Sequence, residues 1–413
     1  MKLDDEEQAM LAGAMGEPRR IAIDQQIQVG RVFDAEDFVP VSQAHIMADT
    51  ESLGEAGVAW LESLAAHPEA QRRVRVPTIT DPRGLDRCTY KQVGQREEWV
   101  ALEQRAIDAL RALGVLMTDT CINYQTVAPP VLGEHLAMGD TGVVIYANGV
   151  CGARSNFEGG PAAVTAALTG RTPRYGLHLD RHRRGTHLFE LRSRPRSLSD
   201  WGAIGGIVGR RAGSYWSVPV ISGVIGSPCS DELKHFGAAL ASYGSVPMFL
   251  MLGVSPEAPD LRQCFDSVPP APVVIGEQDV RDFYAGFGRH EDGVDVVVFA
   301  APQLSIIELQ QLARLLDGRH VSASTTLLVA TSPENKSAAD RMGLTEVIEA
   351  AGGIVMQGVC FYQMHAREMG EARGWRRLLT NSAKLANIIS GYGYAPVLAD
   401  MDACVDAAVA GRY

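Results

Sequence analysis

The chain has 413 residues, 46% of them hydrophobic and 21% charged, with a formal net charge of −11. This is enough apolar material for a sizeable core in two or three domains, and it excludes a disordered or fibrous chain. The negative balance argues against nucleic acid or an anionic membrane as partner, because both are bound through basic patches. The one basic run, Arg181-His182-Arg183-Arg184, reads as a solvated loop, the usual fate of a charge run. The start, MKLDDEEQAM, is acidic where a secretory leader is basic and then apolar, and no apolar run approaches the ~18 residues that span a bilayer. A cytoplasmic protein is expected. Seven cysteines (Cys88, Cys121, Cys151, Cys229, Cys264, Cys360 and Cys404) are scattered and odd in number. They point to free thiols or metal ligands rather than a disulfide framework.

In chain order, periodicity predicts a helix over Leu53–Ala66, a strand over Arg73–Val76, a helix over Glu97–Leu113 and strands over Val115–Asp119 and Gly142–Ala147. An apolar helical stretch, Ala162–Leu168, follows. Next come a helix over Asp231–Tyr243 and a strand over Val246–Gly253. The proline-rich segment Ser255–Pro272 marks a boundary, dividing the chain into 1–270 and 271–413. Beyond it, strands over Val294–Ala300, Thr325–Ala330 and Gly353–Gln357 alternate with helices over Ser305–Leu316, Ser337–Ala350 and Ser382–Ile389. Fully apolar strands separated by helices are the pattern of a parallel sheet covered on both faces, so the expected class is α/β, the tail being doubly wound.

Four clusters carry chemistry. Tyr146–Pro161 (YANGVCGARSNFEGGP) follows a predicted strand and brings Asn148, Cys151, Arg154, Ser155, Asn156 and Glu158 together among glycines. Such loops at strand ends bind ligands, and glycines let backbone amides approach an anion, although a tight structural turn has the same composition. Thr118–Tyr124 places Cys121, and Gln357–Cys360 places Cys360, each after a predicted strand. Converging thiolates suit iron or an iron–sulfur cluster, while spacing alone favours inert buried cysteines. In Thr380–Lys384 a polar cap opens a helix and sets Ser382 and Lys384 near its positive end, for an anion or simply for capping.

In order and spacing, several segments resemble the aconitase X family along nearly the whole chain. They are Leu3–Gly16, Ser42–His45, Val76–Thr78, Cys121 in its Thr-Cys-x-x-Tyr setting, Gly139–Asn156 (GDTGVVIYANGVCGARSN), Gly170–His178, Asp231–Ala241, Gly253–Ala258, Cys360 and Thr380–Lys384 (TNSAK). The resemblance implies an aconitase large-domain-like fold, with parallel or mixed sheets, helices on both faces and two packed subdomains. It implies a hydro-lyase acting on a small hydroxy or hydroxyamino acid. It also implies an iron–sulfur cluster or mononuclear iron held by three cysteines, and a swivelling domain carried by a separate small subunit. By motif position Cys121 and Cys360 are metal ligands; His45, Asp140, Thr141, Ser382 and Lys384 are catalytic; and Asp81, Asn148, Arg154 and Ser155 contact substrate. The chemistry is consistent: loss of water from a β-hydroxy acid needs help for the departing hydroxyl, a base for the α-proton and a cation for the carboxylate.

The chain departs from the family pattern at Ala301. The Gly-Cys-Pro-His segment that supplies a cluster ligand is here Ala300-Ala301-Pro302-Gln303, and alanine has no donor atom. Cys151 is the candidate replacement as third ligand. Gly142 and Gly149 stand where serine is usual, and Leu250 where histidine is. The alternatives to a divergent dehydratase are a cluster-free enzyme of specialised metabolism and a non-catalytic binding subunit.

Overall fold

Short parallel strands, each followed by a helix, build three sheets, and only one strand pair runs antiparallel. The computed structural model describes all 413 residues. In the first part of the chain β1 (Phe38–Pro40) pairs with β5 (Arg171–Pro173), while β2 (Ala44–Ile46), β3 (Thr78–Thr80) and β4 (Ala137–Met138) form a parallel sheet in the order β3-β2-β4. A second parallel sheet follows, in the order β8-β7-β6-β9, from β6 (His187–Leu191), β7 (Pro219–Ser222), β8 (Leu250–Met251) and β9 (Val273–Ile275). β9 lies just beyond the proline-rich segment and returns to pair with β6. The last sheet has five parallel strands in the order β12-β11-β10-β13-β14: β10 (Val296–Leu304), β11 (Thr326–Thr331), β12 (Gly353–Gln357), β13 (Arg377–Thr380) and β14 (Ala395–Leu398). No helix is long and apolar enough to cross a membrane.

The expected α/β class holds, and the strongest periodic elements fall where the sequence places them. The helix Glu97–Leu113 and the strand Gly353–Gln357 match to the residue. The main correction is Gly142–Ala147, which is not a strand but lies within the helix Thr141–Gly149. An all-apolar run is ambiguous between a buried strand and a buried helix. Asp140 decides it: its Oδ1 accepts from the amides of Gly142 (2.7 Å) and Val143 (3.0 Å), an N-cap that starts a helix. Arg73–Val76 forms no strand, Val115–Asp119 contributes a single bridge from Leu116 to Ile79, and Val246–Gly253 shrinks to β8. Ser337–Ala350 is two helices, Pro333–Arg341 and Leu344–Ala350, parted at Gly343 with φ 72°. Arg183 is not solvated: its side chain is 2% exposed, ion-paired with Glu257 and donating to the Leu177 carbonyl.

The helices Leu198–Ala212 and Ser230–Gly244 cross at backbone contact, because Gly205 and Gly209 leave no side chain between them. A Cβ at Gly205 would fall 2.2 Å from the Phe236 carbonyl oxygen. The second of these helices drives a charge network into the core. Lys234, fully buried, is ion-paired with Glu308 and lies 3.1 Å from Asp231, and His235 Nε2 lies 2.8 Å from Glu308. Burial pushes the Glu308 carboxyl up, but Lys234 and His235 outweigh it and hold it down at about 2. Replacing Glu308 by Gln is expected to cost roughly 3 kcal/mol in urea unfolding, since a buried ammonium loses its main partner. The folded value is depressed from 4.5 to about 2. The wild-type advantage is therefore complete above the unfolded value and disappears as pH falls between the two.

Candidate active site

The carboxyl ends of the first sheet and the five-stranded sheet face each other, and the polar centre lies where they meet. β2 carries His45; Asp81 follows β3; Asp140 follows β4 and caps its helix. From the other side, Cys360 follows β12 and Lys384 follows β13. A backbone bridge between Arg83 and Val359 joins the two sets of loops. His45, Asp81, Asp140, Cys121, Cys360 and Lys384 are each at most 4% exposed, so the centre is closed to bulk water. Access for a substrate therefore requires the covering elements to part. Beside it, Asn381, Ser199, Asp231 and Glu308 line a cleft of about 670 Å³.

Most polar groups in the centre have a partner, and His45 Nδ1, Asp81 Oδ1 and Gln363 Oε1 have none. Asp140 spends Oδ1 on its helix and presents Oδ2 to Lys384 Nζ at 3.2 Å. Burial opposes ionisation of both; Lys384, His45 and the Val143 amide together hold the carboxyl below its usual range, and Asp140 with the thiols and Asp81 hold the ammonium above. Gly142 fits this arrangement, because a Cβ there would stand 3.0 Å from Asp140 Oδ1 and 3.7 Å from Lys384 Nζ. His45 Nε2 lies 2.9 Å from the Thr120 carbonyl, which can only accept, so Nε2 carries the proton and Nδ1 is left with a bare lone pair and no partner. Burial lowers its affinity for a second proton. Asp81 lies 3.5 Å from His45 Nε2 and accepts from Gln363 Nε2 at 2.8 Å. Burial, with the charges of Asp140 and Cys121 nearby, pushes its carboxyl well above the ordinary range.

The Cys121 and Cys360 thiols lie close enough to bias each other's titration. The neighbouring Cys360 lowers Cys121 from the usual thiol value, while burial, with Cys121 beside it, raises Cys360 well above it. The two cysteines predicted to converge therefore do meet. Cys151 does not join them. It lies beyond the far end of the helix capped by Asp140, roughly 15 Å along the axis. There it is half-buried against the core, and burial pushes its thiol up to about 11. Ala301 packs in the same apolar cluster as Cys360 and offers only a methyl group. The donors present are two thiols where a three-cysteine iron centre needs three, and no group of three metal-binding side chains is found. The residues do not fit that centre.

The other expected residues divide in the same way. Thr141 opens the helix beside Asp140 and is half-buried. Ser382 caps the helix Ala383–Ile389, accepting from the Leu385 amide, and donates to the Ala301 carbonyl. Asn148, Arg154 and Ser155 are gathered at the opposite end of the Thr141–Gly149 helix, not at the thiols. Asn148 holds the Ser155 and Pro247 carbonyls, Ser155 holds the Met138 amide, and Arg154 pairs with Asp180. Gly149 belongs to this packing, since a Cβ would strike the Phe249 ring at 2.8 Å. Sequence reading missed Gln363 and Tyr362, whose ring lies 5.6 Å from Lys384 Nζ. Their only signal is their position two and three residues after Cys360.

Models of the aconitase X first, second and third domains match residues 1–181, 185–285 and 294–410. The phosphomevalonate dehydratase large subunit of Methanothermobacter thermautotrophicus is 34% identical over 98% of this chain and 96% of its own length. The cis-3-hydroxy-L-proline dehydratase of Pseudomonas aeruginosa is 32% identical over all of this chain and 70% of its own length. The crystal structure of Thermococcus kodakaraensis aconitase X in its holo form superposes with a TM-score of 0.88 at 27% identity, covering 99% of this chain and 100% of that one.

The Asp140–Lys384 pair is open to a double-mutant cycle. Asp140→Asn or Lys384→Met alone strands a buried charge and is expected to cost about 3–5 kcal/mol. The double variant is expected to cost less than the sum of the two, read by denaturant unfolding. Additive losses would show that the two groups do not depend on each other.

Proposed function

Since the chain belongs to the aconitase X family, we propose that it is the large subunit of a hydro-lyase that dehydrates a small hydroxylated acid. The observation that carries this reading is the closed centre of His45, Asp81, Asp140 and Lys384. It contains the three functions that dehydration of a β-hydroxy acid needs from side chains. Lys384 is a cation held at the head of a helix, suited to a substrate carboxylate. His45 has a neutral, unpartnered Nδ1, suited to accept the α-proton. Burial pushes the Asp81 carboxyl well above the ordinary range, toward the protonated form suited to deliver a proton to the departing hydroxyl. Asp140 keeps Lys384 charged and fixed. The closure of the site lengthens the reach of each of these charges, because little solvent screens them.

The relatives named as large subunits favour a separate small subunit for this chain too, and a heterodimer as the working enzyme. The substrate is a hydroxy or hydroxyamino acid: one relative's name specifies a phosphorylated hydroxy acid and another's a hydroxylated imino acid.

The test is an NMR assay of the chain, co-purified with its small subunit, on a panel that includes a phosphorylated mevalonate and cis-3-hydroxy-L-proline. Water loss from one member is expected. His45→Ala and Lys384→Ala are each expected to lower kcat/KM by about 10²-fold or more. Activity that survives both substitutions unchanged would remove this centre from the reaction.

A further inference from the structure

Gln303 stands where the family pattern has a histidine beside its lost ligand, and it is completely buried. Its amide group is used on both sides. Oε1 accepts from the Cys121 backbone amide at 3.3 Å. Nε2 is aimed at three backbone carbonyls, those of Asp119, Thr331 and Val359, each at 3.2 Å. Asp119 and Cys121 belong to the loop that delivers one thiol; Val359 immediately precedes the other. The residue's own carbonyl accepts from Lys234 Nζ at 3.2 Å, which ties it to the buried charge network behind. Carbonyls at strand ends are costly to bury unpaired, and one side-chain amide here addresses three of them.

Glutamine suits this position for a chemical reason. A carboxylate of the same length would face three carbonyl oxygens with no proton to give. An apolar side chain would leave the Asp119 and Val359 carbonyls and the Cys121 amide unmet, the Thr331 carbonyl alone keeping a partner in the Gly358 amide. In a three-cysteine iron centre the metal itself would hold the thiolate-bearing loops in register. This chain has two thiols, a methyl group at Ala301 and a clamp between the thiol loops.

We propose that Gln303 is a positioning residue that fixes the Cys121 and Cys360 loops, so that the two thiols stay side by side with no three-cysteine iron centre between them. The proposal is independent of which acid the enzyme dehydrates, and its readouts do not use activity.

The test uses the purified full chain with its small subunit. The first measurement is iron and acid-labile sulfide after anaerobic, iron-replete reconstitution. Substoichiometric iron with no thiolate-to-iron absorption is expected; stoichiometric iron and sulfide would overturn the proposal. The second is the Raman S–H stretch of Cys360, isolated as wild type minus Cys360→Ala. A band displaced by hydrogen bonding is expected, and it should move to the free-thiol position in a Cys121→Ala background. The same move is expected in Gln303→Met, a variant of equal length without amide groups, with far-ultraviolet circular dichroism unchanged. A band that stays displaced in folded Gln303→Met would overturn the clamp. Should Gln303→Met not fold, the Cys121→Ala comparison and the iron content still decide whether the thiols lie side by side without metal.

Discussion

The Asp140–Lys384 pair is the interaction on which the centre depends. It joins the end of β4 to the start of the helix after β13, two elements separated by more than half the chain, at a point where neither group has water. A lone charge in that position would be driven neutral or expelled. Paired, and with Asp140 also bonded to two helix amides, both charges persist. Their persistence biases the protonation of the neighbours. Burial, then the Asp140 carboxylate and the Cys121 sulfur, push Asp81 toward its neutral form, and burial lowers the proton affinity of His45 beside it. Burial is the first cause for both neighbours, and the ion pair adds a fixed cation beside them. The same pair also fastens the two sheets' carboxyl ends face to face.

Which parts were legible in the sequence follows from how local the signals are. The helix Glu97–Leu113 carries its own period and ends at the left-handed Gly114, and the strands Thr326–Thr331 and Gly353–Gln357 are short apolar runs set between helices. Thr141–Gly149 carries no period, because every side is buried; only the cap at Asp140 distinguishes helix from strand. That single error propagates. Read as a strand, the segment sends its glycine-rich tail to the ligand-binding edge of a sheet. As a helix, it puts its head at the centre and its tail, with Cys151, Asn148, Arg154 and Ser155, at the far end. Polar residues that look functional in sequence are there to close a sharp loop and to hold buried backbone groups.

The cysteines show the same limit from the other side. Nothing in the spacing of Cys121 and Cys360 requires them to meet, since they lie on loops far apart in sequence. They meet because two sheets oppose their carboxyl ends, a tertiary fact. The Ala301 substitution was readable, but its consequence was not. A missing ligand by itself suggests that another residue has moved in. The structure has instead two free thiols side by side and a neighbouring glutamine bonded to the backbone around them.

Several departures from the family pattern belong together on this view. Gly142 and Gly149 lie on one helix, the first close against the Asp140–Lys384 pair and the second under the Phe249 ring. Leu250 follows Phe249 in β8, entirely within the apolar core. Ala301 and Gln303 sit on one irregular stretch of β10, the former giving its carbonyl to Ser382 and the latter its amide to three loops. Each position where a polar or ligating side chain is expected is taken up by packing or by the backbone-bonded Gln303. A site that had merely lost its metal would leave strand-end carbonyls and thiol loops unsupported, at a cost of about 1–3 kcal/mol for each stranded polar group. Here Gln303 supports the two thiol loops, and the Asp140–Lys384 pair joins the sheets that carry them.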